Sequence, residues 1–145
     1  MEVHAIETLL QGLQPFEYGW QGYLPAQSGS FFGRSIGIEF ETRTLSNKDP
    51  PPEINATETA LAQLILSDLE TVLRRAEERI SEHLDGEGSG LLDDLQLPHI
   101  WMSREVLEEE GSTRWSFIVG RQDAPEMGFH LEFVGADCKD VWAVD

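Results

Sequence analysis

Residues 55–84 read Asn55-Ala56-Thr57-Glu58-Thr59-Ala60-Leu61-Ala62-Gln63-Leu64-Ile65-Leu66-Ser67-Asp68-Leu69-Glu70-Thr71-Val72-Leu73-Arg74-Arg75-Ala76-Glu77-Glu78-Arg79-Ile80-Ser81-Glu82-His83-Leu84, and this stretch decides the fold. Ala60, Leu61, Leu64, Ile65, Leu69, Val72, Leu73, Ala76, Ile80 and Leu84 recur three and four residues apart, which is one face of an α-helix. Asn55 and Glu58 have the spacing of a capping box, in which each side chain satisfies the other's backbone N–H. Asp49-Pro50-Pro51-Pro52 bars a helix before that point, because proline lacks the amide hydrogen and clashes with the preceding turn. At the far end Asp85-Gly86-Glu87-Gly88-Ser89-Gly90 offers glycine for a left-handed cap and then a loop. The opposite face carries Glu70, Arg74, Arg75, Glu77, Glu78, Arg79 and Glu82, a solvated surface with Glu70 and Arg74 in the favourable i,i+4 order. The expectation is one long amphipathic helix of roughly 40 Å whose apolar stripe needs a sheet to cover it.

Working outward, the flanks supply that sheet. Ile36, Ile38 and Phe40 alternate with Ser35, Gly37, Glu39 and Glu41, a period of two that marks a half-buried strand within residues 33–44. A second strand over residues 17–24 is joined to it by the turn-rich Pro25-Ala26-Gln27-Ser28-Gly29-Ser30, which predicts an N-terminal β-hairpin. Val3, Ile6, Leu9, Leu10 and Leu13 suit a short helix or turn packed against the sheet edge. After the glycine loop, residues 98–107, 113–121, 128–134 and 139–144 read as four strands. Glu110-Gly111-Ser112, Asp123-Ala124-Pro125-Glu126 and Gly135-Ala136-Asp137 supply turns between them. The predicted fold is α+β: hairpin, one long helix, and a C-terminal four-stranded antiparallel meander with the helix on one face of the sheet.

Composition limits the function classes. A chain of 145 residues is the size of one domain, so residues 1–145 are expected to form a single unit. Twenty-seven Asp and Glu against ten Lys and Arg give a net charge of −17, a field that repels nucleic-acid backbones and anionic membranes. The acidity is uneven: residues 85–145 hold 14 acids and 4 bases, whereas residues 1–55 hold 7 and 3. Cys138 is the only cysteine, which excludes an intrachain disulfide and suits a reducing compartment. Met1-Glu2-Val3-His4 does not read as a leader peptide and no apolar run nears the eighteen or so residues of a membrane span, so the expectation is a cytoplasmic protein.

Three stretches carry a family resemblance: Tyr18-Gly19-Trp20-Gln21-Gly22-Tyr23 in the first strand, Asn55-Ala56-Thr57-Glu58 at the helix start, and Asp123-Ala124-Pro125-Glu126-Met127-Gly128 before a strand. With the element order, they resemble a group of small uncharacterised bacterial α+β domains, some of them immunity-protein-like. The resemblance implies the fold and, for function, neutralisation of a toxin. Similar sequences carry a histidine where this chain has Met127, so no site is carried over.

No catalytic signature is present. His4, His83, His99 and His130 are scattered, with no local spacing to a nucleophile, and Cys138 sits between Asp137 and Lys139, where acidic neighbours oppose thiolate formation. Gly86, Gly88 and Gly90 follow a helix rather than a strand and are flanked by acids, against a phosphate loop. Two constellations remain. Trp142 and Trp101, with Asp137 and Asp140, form a candidate partner-binding surface, since exposed tryptophan in an acidic rim suits a basic protein partner. Asp123, Glu126, His130 and Glu132 form the alternative, an oxygen-rich metal site of a binding module or small metal-dependent enzyme, although polar sheet faces with acidic turns have the same look. The sequence favours a non-catalytic protein-binding domain of the immunity or toxin-neutralising kind, without a cofactor. A homodimer subunit paired through a sheet edge or face is the further alternative.

Overall fold

A computed structural model describes residues 3–24, 31, 33–43, 51–84, 95–121 and 128–144. Its centre is one seven-stranded sheet in the order β1-β2-β3-β4-β5-β6-β7. The strands are β1 (Gln14–Phe16), β2 (Gly19–Tyr23), β3 (Gly37–Glu41), β4 (Leu95–Ser103), β5 (Arg114–Arg121), β6 (Gly128–Val134) and β7 (Asp137–Val144). The helices are α1 (Val3–Gln11), α2 (Ala56–Ser67), α3 (Leu69–Leu84) and α4 (Arg104–Glu109). All neighbouring strands are antiparallel except β3 and β4, which run parallel. A parallel pair requires a crossover, and α2 and α3 lie in it, which makes the architecture a mixed α/β sheet rather than a separate hairpin and meander.

The capping box forms as the sequence requires. Asn55 Oδ1 accepts from the Glu58 amide and Glu58 Oε1 from the Asn55 amide, both at 2.8 Å. The expected single helix is nevertheless two, interrupted at Asp68. There the amide reaches back to the Ile65 carbonyl at 3.2 Å, a tighter turn than α-helix, while Ser67 Oγ donates to the Gln63 carbonyl at 2.7 Å. Such serine back-bonding bends helices. Most of the stripe survives the break: Leu61, Ile65, Leu69, Val72, Leu73, Ala76 and Ile80 are buried, joined by Ala62 and Leu66, whereas Ala60 and Leu64, placed in the stripe by spacing, are exposed.

Four further boundaries differ from the sequence reading. The strand expected over 98–107 ends at Ser103 and continues as α4, whose Leu107 turns into the core. The strand expected over 17–24 begins only at Gly19, after a turn at Glu17 and Tyr18 that joins it to an additional edge strand, β1. The strand expected over 33–44 is regular only from Gly37 to Glu41. The last strand starts at Asp137, two residues early, with a bulge opposite Glu132 and Phe133. The turn at 25–30, the glycine loop at 85–90 and the turn at 123–126 lie outside the described residues.

One apolar cluster joins the helices to one face of the sheet, with Ile38 and Phe40 of β3, Ile100 and Met102 of β4, Trp115, Phe117 and Val119 of β5, and Phe129, Leu131 and Phe133 of β6. Ile6, Leu9 and Leu13 bring the α1 segment into the same cluster. Trp115 stacks on Phe133 with ring centroids 4.5 Å apart, and its indole N–H donates to the Gly135 carbonyl. Gly128 is required at the start of β6, because a Cβ there would run into the Val119 carbonyl of the neighbouring strand. Arg104 clamps the crossover to the end of β4: its Nη2 meets Glu58 Oε1 at 2.6 Å, its Nε meets Oε2 at 3.2 Å, and Nη2 also donates to the Glu53 carbonyl. Glu58 is 1% exposed, so this is a buried, bidentate pair. The Trp20 indole N–H donates to the Pro52 carbonyl and ties β2 to the same segment.

Candidate protein-binding face

Strand alternation sends every second side chain to the face opposite the core, and strand register then sets who meets whom. One row across that face runs Tyr23, Gly37, His99, Ile118, His130 and Trp142. The adjacent row runs Gln21, Glu39, Trp101, Ser116, Glu132 and Asp140. The buried apolar side chains of the described helices belong to the opposite, core face. This second face is open among the described residues.

Trp101 and Trp142, forty-one residues apart in sequence, are linked through His130. The imidazole stacks on Trp142 with centroids 4.4 Å apart and rings 12° from parallel, and meets Trp101 edge-on at 6.3 Å. His130 Nε2 and Ser116 Oγ share a hydrogen bond of 2.7 Å, which fixes the ring between the two indoles. Burial in this aromatic setting pushes the His130 pKa below its ordinary value, and nearby His99 adds to the shift. The stack is therefore built on a neutral imidazole. Trp142 keeps 37% of its surface accessible at the β7 end of the row, and Tyr23 keeps 71% at the β2 end.

Carboxylates border the aromatic row. Glu39 and Glu41 share this face of β3, and Trp101 donates a hydrogen bond to Glu41. Burial raises the Glu41 pKa; the Trp101 bond opposes that rise, and Glu39 and Glu105 add to it by repulsion. Asp140 and Asp137 are exposed on β7, and Asp140 Oδ1 accepts from the Val141 amide at 2.9 Å. The four residues proposed from sequence as a partner surface all fall on this face: Trp101, Trp142 and Asp140 lie in the two rows described, and Asp137, opposite Val134, lies at the start of β7. Sequence reasoning passed over Glu39, Glu41 and Ser116 as site residues. Alternation did assign Glu39 and Glu41 to one face, but only the parallel β3–β4 pairing brings them beside Trp101.

The alternative metal set is divided. Asp123 and Glu126 lie outside the described residues. His130 is held by Ser116 and the two indoles, and the Glu132 carboxylate is paired with the Arg114 guanidinium. Among the described residues no group of three or more His, Cys, Asp or Glu side chains could hold a metal ion. Cys138 packs against the core, and burial, more than its acidic neighbours, raises its thiol pKa, with Arg79 acting the other way. The outer strand β7 carries Asp137, Lys139 and Asp140 and a bulge, features that discourage sheet edges from joining. Among the described residues no helix is long and apolar enough to cross a membrane.

No family model, curated protein or solved structure matches the chain. The reading of its function therefore rests on the face itself.

Proposed function

We propose that this protein is a non-catalytic binding domain whose open sheet face engages a cationic protein. The observation that carries the reading is the Trp101–His130–Trp142 cluster, with two tryptophans on a face left open among the described residues, bordered by Glu39, Glu41 and Asp140. Tryptophan contributes large contact area at small entropic cost and dominates interface energetics, while surrounding carboxylates steer a positively charged partner and reject anionic ones. A net charge of −17 supplies that steering over the whole molecule. In its most specific form the reading is an immunity-type protein that neutralises a basic toxin such as a nuclease, which the charge and the resemblance of its sequence pattern support.

The test is titration of the purified chain with basic proteins encoded beside its gene. The expected result is a complex that weakens as salt rises and is lost in Trp101→Ala and Trp142→Ala, with both variants still folded. Binding to no such protein, or binding indifferent to both tryptophans and to salt, would remove the reading.

A further inference from the structure

The open face has a hollow at its β2–β3–β4 end, a cavity of about 710 Å³ bordered by Gln21, Tyr23, Arg34, Gly37, Glu39 and His99 among others. Register explains it. Gly37 pairs with Tyr23 on one side and with His99 on the other, so the row lacks a side chain at that position and a gap opens between a phenol and an imidazole. The neighbours lean close: a Cβ on Gly37 would come within 3.3 Å of His99 Cβ. The next row closes one side of the gap with Gln21 and Glu39, and Gln14 lies opposite Gln21 on β1.

The hollow therefore joins an accessible aromatic face, Tyr23, to a carboxylate, Glu39, and to amide oxygens. A planar guanidinium requires those groups: a ring to stack on, a carboxylate to receive its N–H pairs, and carbonyl acceptors for the rest. Among the described residues the ion pair of Glu39 is a long one, with His99. His99 Nε2 lies 3.9 Å away and is charged only when protonated, and Glu41, two residues on, repels it. Arg34, also on the border, has an interaction of its own within the chain.

We propose that this hollow seats an arginine side chain of the cationic partner, with the guanidinium between Tyr23 and Glu39. The inference rests on the binding-face reading above and narrows it to a residue type and a position. The test follows amide NMR shifts of the labelled protein with agmatine, and with an acetylated, amidated Gly-Arg-Gly peptide against its citrulline counterpart, which keeps the shape and removes the charge. Saturable shifts at Gly37, Glu39 and Gln21 are expected with agmatine and the arginine peptide only. Glu39→Gln, which keeps the side-chain shape, should weaken both by roughly fivefold to tenfold. Gly37→Val should fill the gap and abolish them. Absence of saturable shifts at Gly37, equal shifts from the citrulline peptide, or shifts unchanged in Glu39→Gln would overturn the proposal. Agmatine binding with the peptide excluded would overturn its protein-borne form in favour of a free guanidine. None of these outcomes depends on Trp142, whose substitution tests the wider face separately.

Discussion

The two faces of this sheet are made by the same strands and even by adjacent residues, yet they are chemically opposite. On β5, Trp115, Phe117 and Val119 enter the core while Ser116 and Ile118 turn outward; on β6, Phe129, Leu131 and Phe133 do the same against His130 and Glu132. The helical face is closed by apolar side chains that need only shape and volume. The open face is ordered by directional contacts: a stacked imidazole, a serine hydrogen bond, an indole bonded to a carboxylate and an Arg114–Glu132 ion pair. Ordering an exposed sheet surface in this way fixes side-chain rotamers in advance, so a partner meets a surface whose conformational cost is already partly met.

The sharpest contrast should come from truncating one residue on each side. Phe117→Ala removes a fully buried ring that meets Phe31 at 5.0 Å and leaves a cavity, with an expected loss of about 3–5 kcal/mol in chemical denaturation. Trp142→Ala removes a larger side chain from the open face and should cost less than about 1 kcal/mol while eliminating partner binding. If the two losses were equal, the open face would be part of the folding core and the division would fail.

Ion pairs give the next contrast. Glu58→Ala removes the reciprocal half of the capping box, the bond from the Asn55 amide to Glu58 Oε1, and strands the buried Arg104 guanidinium, for an expected loss of about 3 kcal/mol. Glu132→Ala breaks the partly exposed pair with Arg114 and should cost below about 1 kcal/mol. Equal effects in parallel melts would mean that the open face is as desolvated as the crossover clamp.

Much of the covered face was legible because it follows local rules. The capping box at Asn55 and Glu58, the stripe from Leu61 to Ile80 and the alternation on β3 and β6 each depend on residues close in sequence. The helix break was less visible: Ser67 and Asp68 are ordinary helical residues until the serine bonds back to Gln63. The open face was the least legible, because its contacts depend on register. Trp101 and Trp142 were singled out by residue type alone, and nothing local indicates that His130 bridges them or that Glu41 lies under Trp101. Arg104 likewise looked like a strand residue until α4 began at it.

Acid should expose a further difference, since among the described residues the apolar cluster of the covered face holds no His, Asp or Glu, whereas the open face has His130 at its centre. The imidazole is held neutral, with a pKa below the usual histidine value of about 6.5. A base depressed in this way adds stability above its unfolded pKa, and that contribution is lost as pH falls through the folded one. The imidazole proton shifts should titrate with a midpoint below the ordinary value, accompanied by a change in tryptophan fluorescence as the stack is charged. His99→Gln should move the midpoint part of the way back and leave the larger share, which comes from burial. A midpoint at or above the ordinary value would contradict the stack.

The smallest expected effect has the opposite sign, and it tests whether the open face is arranged for a partner at the expense of stability. Glu41 is raised above its usual carboxylate pKa by burial and by repulsion from Glu39 and Glu105, so at neutral pH its charge opposes folding. Glu41→Gln keeps an acceptor for Trp101 and removes the charge, and should stabilise the protein by roughly 0.5 kcal/mol at pH 7 after allowance for solvent screening. The sign of the pH dependence follows from the raised pKa: stability from a protonated Glu41 is present below the unfolded value and lost as pH rises through the folded one. The gain in Glu41→Gln over the parent should therefore shrink towards zero on acidification, where Glu41 is itself neutral. A carboxylate kept where it weakens the fold is consistent with selection for a cationic partner, and the same substitution should weaken partner binding as it raises the melting temperature. A variant that is more stable and binds unchanged would show that the Glu41 charge weakens the fold without serving the partner surface.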